Sequence, residues 1–63
     1  MNTMTEIIAT VENTADGIAA DVAKIATGYA VALRDLDSGE VLDTVRIFPT
    51  QAQALVYAQQ IAG

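Results

Sequence analysis

Cysteine and histidine are both absent from this chain of 63 residues, which removes two common ways of holding a small domain together. Without cysteine there is no disulfide framework, and without either residue there is no zinc site of the usual kind. Catalytic groups are equally scarce, because Lys24 is the only lysine and Ser38 the only serine. No nucleophile has a base within reach, so we expect no enzymatic activity and no cofactor.

Positive charge is scarce as well, since three basic residues stand against eight acidic ones and give a net charge of −5. A negative domain repels phosphate backbones at long range, which disfavours direct nucleic-acid binding. The first residues lack the basic segment and apolar run of a signal peptide. Residues 47–63 are uncharged but contain a proline and four glutamines, which does not suit a bilayer span. We therefore expect one cytoplasmic domain over residues 1–63.

Apolar residues are plentiful and make up 52% of the chain. A chain this short buries a smaller share of its surface than larger domains do, so its core will be thin. Small domains without disulfides or metals depend on good local propensities or on a partner. We therefore expect a marginally stable subunit or one that associates with itself, and a homodimeric structural or regulatory module is one functional alternative.

The first half of the chain predicts one strand followed by one helix. Residues 5–12 alternate between apolar and polar positions, as a strand does. Residues 13–28 carry apolar side chains at helical spacing with alanines beside them, which predicts an amphipathic helix. A strand over residues 17–25 is the alternative; the helix is preferred because alanine favours helices and is depleted in strands.

Residues 29–48 predict a β-hairpin that turns at Asp37-Ser38-Gly39, with Gly39 in the left-handed conformation. A three-residue loop is the choice that gives the hairpin a single apolar face, and it pairs Leu36 with Glu40. In that register the apolar face carries Tyr29, Val31, Leu33, Val41, Val45 and Ile47. Phe48 then lies on the opposite, outer face.

A second helix is predicted after Pro49, because Thr50 and Gln53 have the form of a capping box. One arc of this helix is apolar and should face the sheet: Ala54, Leu55, Tyr57, Ala58, Ile61 and Ala62. The opposite arc is uncharged: Ala52, Gln53, Val56, Gln59 and Gln60. Solvated helix faces normally carry charges, so this arc is a candidate contact surface.

Together these elements predict an α+β fold. The order is β-α-β-β-α, with a small antiparallel sheet of three strands and two helices packed on one face. If residues 17–25 form a strand instead, the predicted alternative is a β-β-β-α fold of three strands and one helix.

Two kinds of residue are candidates for partner binding. Four acidic residues lie within nine positions around the predicted hairpin tip: Asp35, Asp37, Glu40 and Asp43. Such a patch attracts lysine and arginine on a partner, or simply keeps the tip solvated. Phe48, on the outer face, and Val56, on the uncharged helix arc, are the apolar candidates. The acidic run lacks the glycine and glutamate of a calcium loop, so we expect no metal site.

The second half of the chain resembles a known domain. The pattern Tyr-x-Val-x-Leu-x-Asp-x-Asp-Ser-Gly over residues 29–39, followed by a strand and Phe-Pro-Thr-x-x-x-Ala-x-x-x-Ala over residues 48–58, is similar to the arm-binding N-terminal domain of tyrosine recombinases. Those domains read DNA with basic sheet residues, and only Arg34 and Arg46 are available here. The resemblance therefore does not carry DNA binding over to this chain.

In size, acidity and lack of catalytic residues, the chain also resembles the small anti-CRISPR proteins of phages and mobile elements. That resemblance implies an inhibitor that occupies a basic, nucleic-acid-handling surface of a protein or ribonucleoprotein complex. The leading hypothesis is thus a non-enzymatic acidic binding protein. A homodimer is the first alternative, and a weak nucleic-acid binder using Arg34 and Arg46 is the second.

Overall fold

Four antiparallel strands and one helix make up the computed structural model, which describes residues 6–42 and 45–63. The elements are β1 (Glu6–Asn13), β2 (Ile18–Ile25), β3 (Gly28–Asp35), β4 (Arg46–Phe48) and α1 (Gln51–Ala62). The strands form a meander in which neighbours in sequence are neighbours in the sheet, and α1 packs across one face. Within the described residues, no helix has the length and apolarity to cross a membrane.

The predicted helix over residues 13–28 is wrong, because this segment forms a turn and strand β2. At the turn, the Asn13 side-chain oxygen accepts a hydrogen bond from the Asp16 backbone N–H, and Gly17 takes a φ of 71°. Strand β2 runs through the middle of the sheet and fully buries Ala19 and Ala20, which point to opposite faces. Burial between two neighbouring strands overrides the helix propensity of alanine.

The fold class is therefore corrected from three strands and two helices to four strands and one helix. The alternative placed a strand at residues 17–25, where β2 lies, but it too counted three strands where the described residues form four. The apolar residues of this segment fit a period of two as well as a period of 3.6, so spacing alone did not separate helix from strand.

The predicted hairpin register is also wrong. Gly39 has the expected positive φ, 80°, but Asp35 bonds to Glu40 through its backbone N–H and leaves four residues in the loop. Beyond the tip, Arg34 pairs with Val41, and a continuation of that register would pair Tyr29 with Arg46. In β4, Tyr29 instead pairs with Phe48, so the register is shifted by two residues. The shift falls between residues 41 and 46, of which residues 43–44 lie outside the described part of the chain.

The register changes which side chains face α1. Phe48 pairs with Tyr29 and packs against the core instead of lying on the outer face. Val45 and Ile47 point away from α1, and Val41 shares the face of Arg34. The sequence prediction compares only the two strands of the hairpin. The helix that follows Phe48 provides an aromatic partner for the Phe48 ring, and that contact lies outside the hairpin. The rings of Phe48 and Tyr57 lie 5.2 Å apart.

Helix α1 begins as predicted, because the Thr50 hydroxyl accepts the Gln53 backbone N–H at 3.2 Å. The predicted buried arc is confirmed as well. Ala54, Ala58 and Ala62 are buried, one turn apart, and they let the helix approach the sheet closely. Beneath them, the largest fully buried side chains of the described chain are Val22 and Val31. The core is therefore as thin as the chain length predicts.

Candidate binding surfaces

An acidic end forms where two turns of the meander meet. The turns β1–β2 and β3–β4 lie at the same end of the sheet, and the Leu36 backbone N–H donates to the Gly17 carbonyl at 2.9 Å. This bond holds the turns together although their residues are far apart in sequence. The acidic residues gathered there define the acidic end: Glu12, Asp16, Asp35, Asp37 and Glu40.

The acidic end contains three of the four predicted acidic residues. Asp35 is partly buried and its carboxylate accepts the Asp37 backbone N–H at 2.9 Å. The Ser38 hydroxyl accepts the Glu40 backbone N–H at 3.2 Å, so the tip is cross-braced, while the Asp37 and Glu40 side chains are exposed. Asp43, the fourth predicted residue, lies outside the described residues.

Two acidic residues of this end were missed in the sequence because the first turn was predicted as a helix. Asp16 is exposed in the β1–β2 turn, and Glu12 is exposed near the end of β1. The signal that identifies the turn was present: Asn13 followed by Asp16-Gly17 is a typical turn sequence. The alanine content of residues 13–28 favours a helix, and the predicted helix covers the turn.

The basic residues lie away from the acidic end or are already paired. Lys24 stands beside Glu6 and Tyr29 at the opposite end of the sheet, with its ammonium 5.2 Å from the Tyr29 ring centre. Arg46 lies on the side of α1, 5.6 Å from the Tyr57 ring centre. Arg34 lies on the other face, so Arg34 and Arg46 do not form one surface.

The sheet face opposite α1 is the open face. One row of this face is apolar and crosses all four strands through directly paired positions: Ile7, Ala23, Ala30 and Ile47. Ile7 and Ile47 are 61% and 58% exposed at the two edges, while the alanines between them form a lower floor. With Val45 and Ile25 they border a groove of about 410 Å³.

A charged pair occupies the middle of the open face. The Arg34 guanidinium donates two hydrogen bonds to Asp21, at 2.7 and 3.1 Å, and the Thr10 hydroxyl donates a third to Asp21 at 2.9 Å. The hydrogen bond from Arg34 lowers the pKa of Asp21, against the opposing effect of its partial burial. The same bond raises the pKa of Arg34. The open face thus carries its charge as a neutralised pair, with Glu12 beside it.

The two apolar candidates share a groove on the side of α1. Phe48, Val56 and Tyr57 line a shallow groove of about 390 Å³ together with Ala52, Gln53 and Gln60. Val56 is 56% exposed on the uncharged arc, as predicted. Phe48 is only partly exposed, because most of its ring packs against Tyr57 and the core. The structure therefore brings Phe48 and Val56 together, but away from the acidic tip.

No protein-family model, curated protein or solved structure matches this chain. The resemblances to recombinase arm-binding domains and to anti-CRISPR proteins therefore stay predictions. Among residues 6–42 and 45–63, no cluster of three acidic side chains is placed to hold a metal ion.

Proposed function

We propose that this chain is a small, non-enzymatic binding protein whose acidic end docks onto a basic surface of a partner protein. The observation that supports this most directly is the bond between Leu36 and Gly17, which joins two turns and concentrates acidic side chains from both. Carboxylates gathered in this way attract lysine and arginine and accelerate encounter with a basic partner.

The bracing of the tip supports the same proposal. Because Asp35 and Ser38 bond to backbone N–H groups within the turn, Asp37 and Glu40 project from a framework that is already ordered. A preorganised surface loses less conformational freedom when it binds. Surfaces that bind phosphate backbones are basic, so we propose that the partner handles nucleic acid and that this chain competes with nucleic acid for the same surface.

Two single charge reversals test the proposal. Asp37→Lys changes the acidic end, and Glu6→Lys makes the same change in net charge at the opposite end of the sheet. The partner is a nucleic-acid-binding protein captured with the wild-type chain and then purified, and binding is measured by biolayer interferometry at several salt concentrations. We expect Asp37→Lys to weaken binding by about tenfold, mainly through slower association, and Glu6→Lys to have a much smaller effect.

Equal weakening by both variants would mean that net charge, and not the acidic end, drives binding. A binding constant unchanged by Asp37→Lys would contradict the proposed surface. The inhibitory part is tested separately by titrating the partner with labelled nucleic acid. If the chain and the nucleic acid bind the partner at the same time, the chain does not block that surface.

A further inference from the structure

The open face carries an apolar surface that the acidic end does not account for. The row of Ile7, Ala23, Ala30 and Ile47 crosses the whole sheet, and Val45, directly before β4, extends it. Exposed apolar patches of this kind, rimmed by polar residues, mark interaction surfaces in small domains. We propose that a second copy of this chain covers the open face and forms a twofold dimer with one helix on each outer side.

The charges on the open face allow a second copy to cover it. Each copy carries a net charge of −5, so two copies repel each other wherever their acidic groups meet. On the open face, Asp21 is neutralised by Arg34, and Glu12 is the one further charge among the described residues of that face. The acidic end lies at the ends of the strands where the β1–β2 and β3–β4 turns meet, outside the apolar row. Two copies can therefore meet over the apolar row with little repulsion.

The dimensions of the subunit also suit a dimer. The described residues extend over 32 × 28 × 18 Å, and the shortest extent matches one sheet layer plus one helix layer. The broad side measures 32 × 28 Å, so a contact that covers most of it can reach the roughly 800 Å² that each partner contributes to a standard interface. Complete coverage of the open face is what a stable dimer of this subunit requires.

The thin core supplies the energetic reason. Val22 and Val31 are the largest side chains that α1 and the sheet bury completely, and no disulfide reinforces them. A dimer would add Ile7, Ile47 and Val45 to the buried apolar surface, at about 25 cal/mol for each Å² removed from water. The resulting arrangement of two sheets face to face, about 10 Å apart, is a common way to complete such a core.

Sedimentation equilibrium of two matched variants tests this dimer. Ile47→Asp and Val56→Asp each add one negative charge at an apolar residue of nearly equal exposure, 58% and 56%, but on opposite sides of the subunit. We expect the wild-type chain to be dimeric and Ile47→Asp to raise the dimer dissociation constant by about 100-fold, because the substitution occurs twice in a twofold interface. Val56→Asp should leave it within about twofold, as for residues outside an interface.

A folding control and a second readout accompany these measurements. Circular dichroism must show that Ile47→Asp keeps its sheet, and Ile7→Lys probes the other end of the row should that variant unfold. In the wild-type chain, dilution should shift the NMR signals of Ala23, Ala30 and Ala32 more than those of Ala52 and Gln60. A wild-type monomer at all concentrations would overturn the dimer and leave the open face to a different protein. Loss of the dimer in Val56→Asp alone would move the interface to α1.

Discussion

The two sides of the sheet share the same four strands, yet alanine residues have opposite effects on packing there. On the side of α1, Ala54, Ala58 and Ala62 let the helix sit close to Val22 and Val31, so small residues produce tight packing. On the open face, Ala23 and Ala30 have no covering element among the described residues, so the same residue type produces a groove between two isoleucines. Small residues thus create either a close contact or an empty groove, depending on whether another layer is present.

This comparison predicts that similar substitutions will have unequal effects on the two sides. Three sets of measurements test it, from the largest expected effect to the smallest. Stability should be measured by chemical denaturation at low protein concentration, so that self-association does not contribute.

Ala58→Glu should have the largest effect because Ala58 is fully buried between α1 and the sheet. The substitution forces a larger, charged side chain into a closely packed layer, and we expect a loss of about 4 kcal/mol or more in the free energy of unfolding. Val56→Glu, on the exposed arc of the same helix, should stay within about 0.5 kcal/mol. Comparable losses would show that α1 does not pack through its alanine stripe.

Phe48→Ala and Ile47→Ala separate the two faces at adjacent positions of β4. Phe48 packs against Tyr57 and the core, so its truncation should cost about 2 kcal/mol. Ile47 is exposed on the open face, and its truncation should change the stability of the monomer by less than about 0.5 kcal/mol. The register predicted from the sequence gives the reverse order, so this pair tests the observed strand pairing directly.

Asp21→Asn should have the smallest effect and should depend on pH. Hydrogen bonds from Arg34 and Thr10 hold the pKa of Asp21 below its ordinary value of 3.8. A carboxylate with a lowered pKa stabilises the fold above its unfolded pKa, and this contribution is lost as pH falls through the folded value. We therefore expect Asp21→Asn to cost about 1 kcal/mol at neutral pH.

Stability curves of wild type and Asp21→Asn against pH provide the measurement. The difference between the two should be constant above the ordinary pKa of aspartate and should shrink as the pH falls below 3.8. A difference that persists at the lowest pH would show that the asparagine side chain disrupts packing. In that case the charge of Asp21 would not be what stabilises the open face.

Local patterns predicted the structure where neighbours in sequence make the decisive contacts. The start of α1 follows from Thr50 and Gln53, which bond to each other within one turn. The positive φ of Gly39 follows from a residue that tolerates it without strain. The buried arc of α1 follows from helical spacing, because the helical repeat assigns each of its twelve residues to one face.

The errors occurred where the decisive contacts come from distant parts of the chain. Residues 18–25 form a strand because β1 and β3 bury them on both edges, and no local rule weighs that burial against the helix propensity of alanine. Phe48 faces inward because Tyr57 is there to receive it. The acidic end was half predicted, since Asp37 and Glu40 are close in sequence to each other but not to Asp16.

By itself, the sequence determined the net charge, the lack of disulfides, the position of the turn between β3 and β4, and helix α1. Each of these depends on composition or on residues a few positions apart. Only the tertiary structure decided which segment is the central strand, which face Phe48 occupies, and that two turns share one acidic end. Those outcomes depend on pairing between strands, and the energy of a pair is set by both partners and by the layer that covers them.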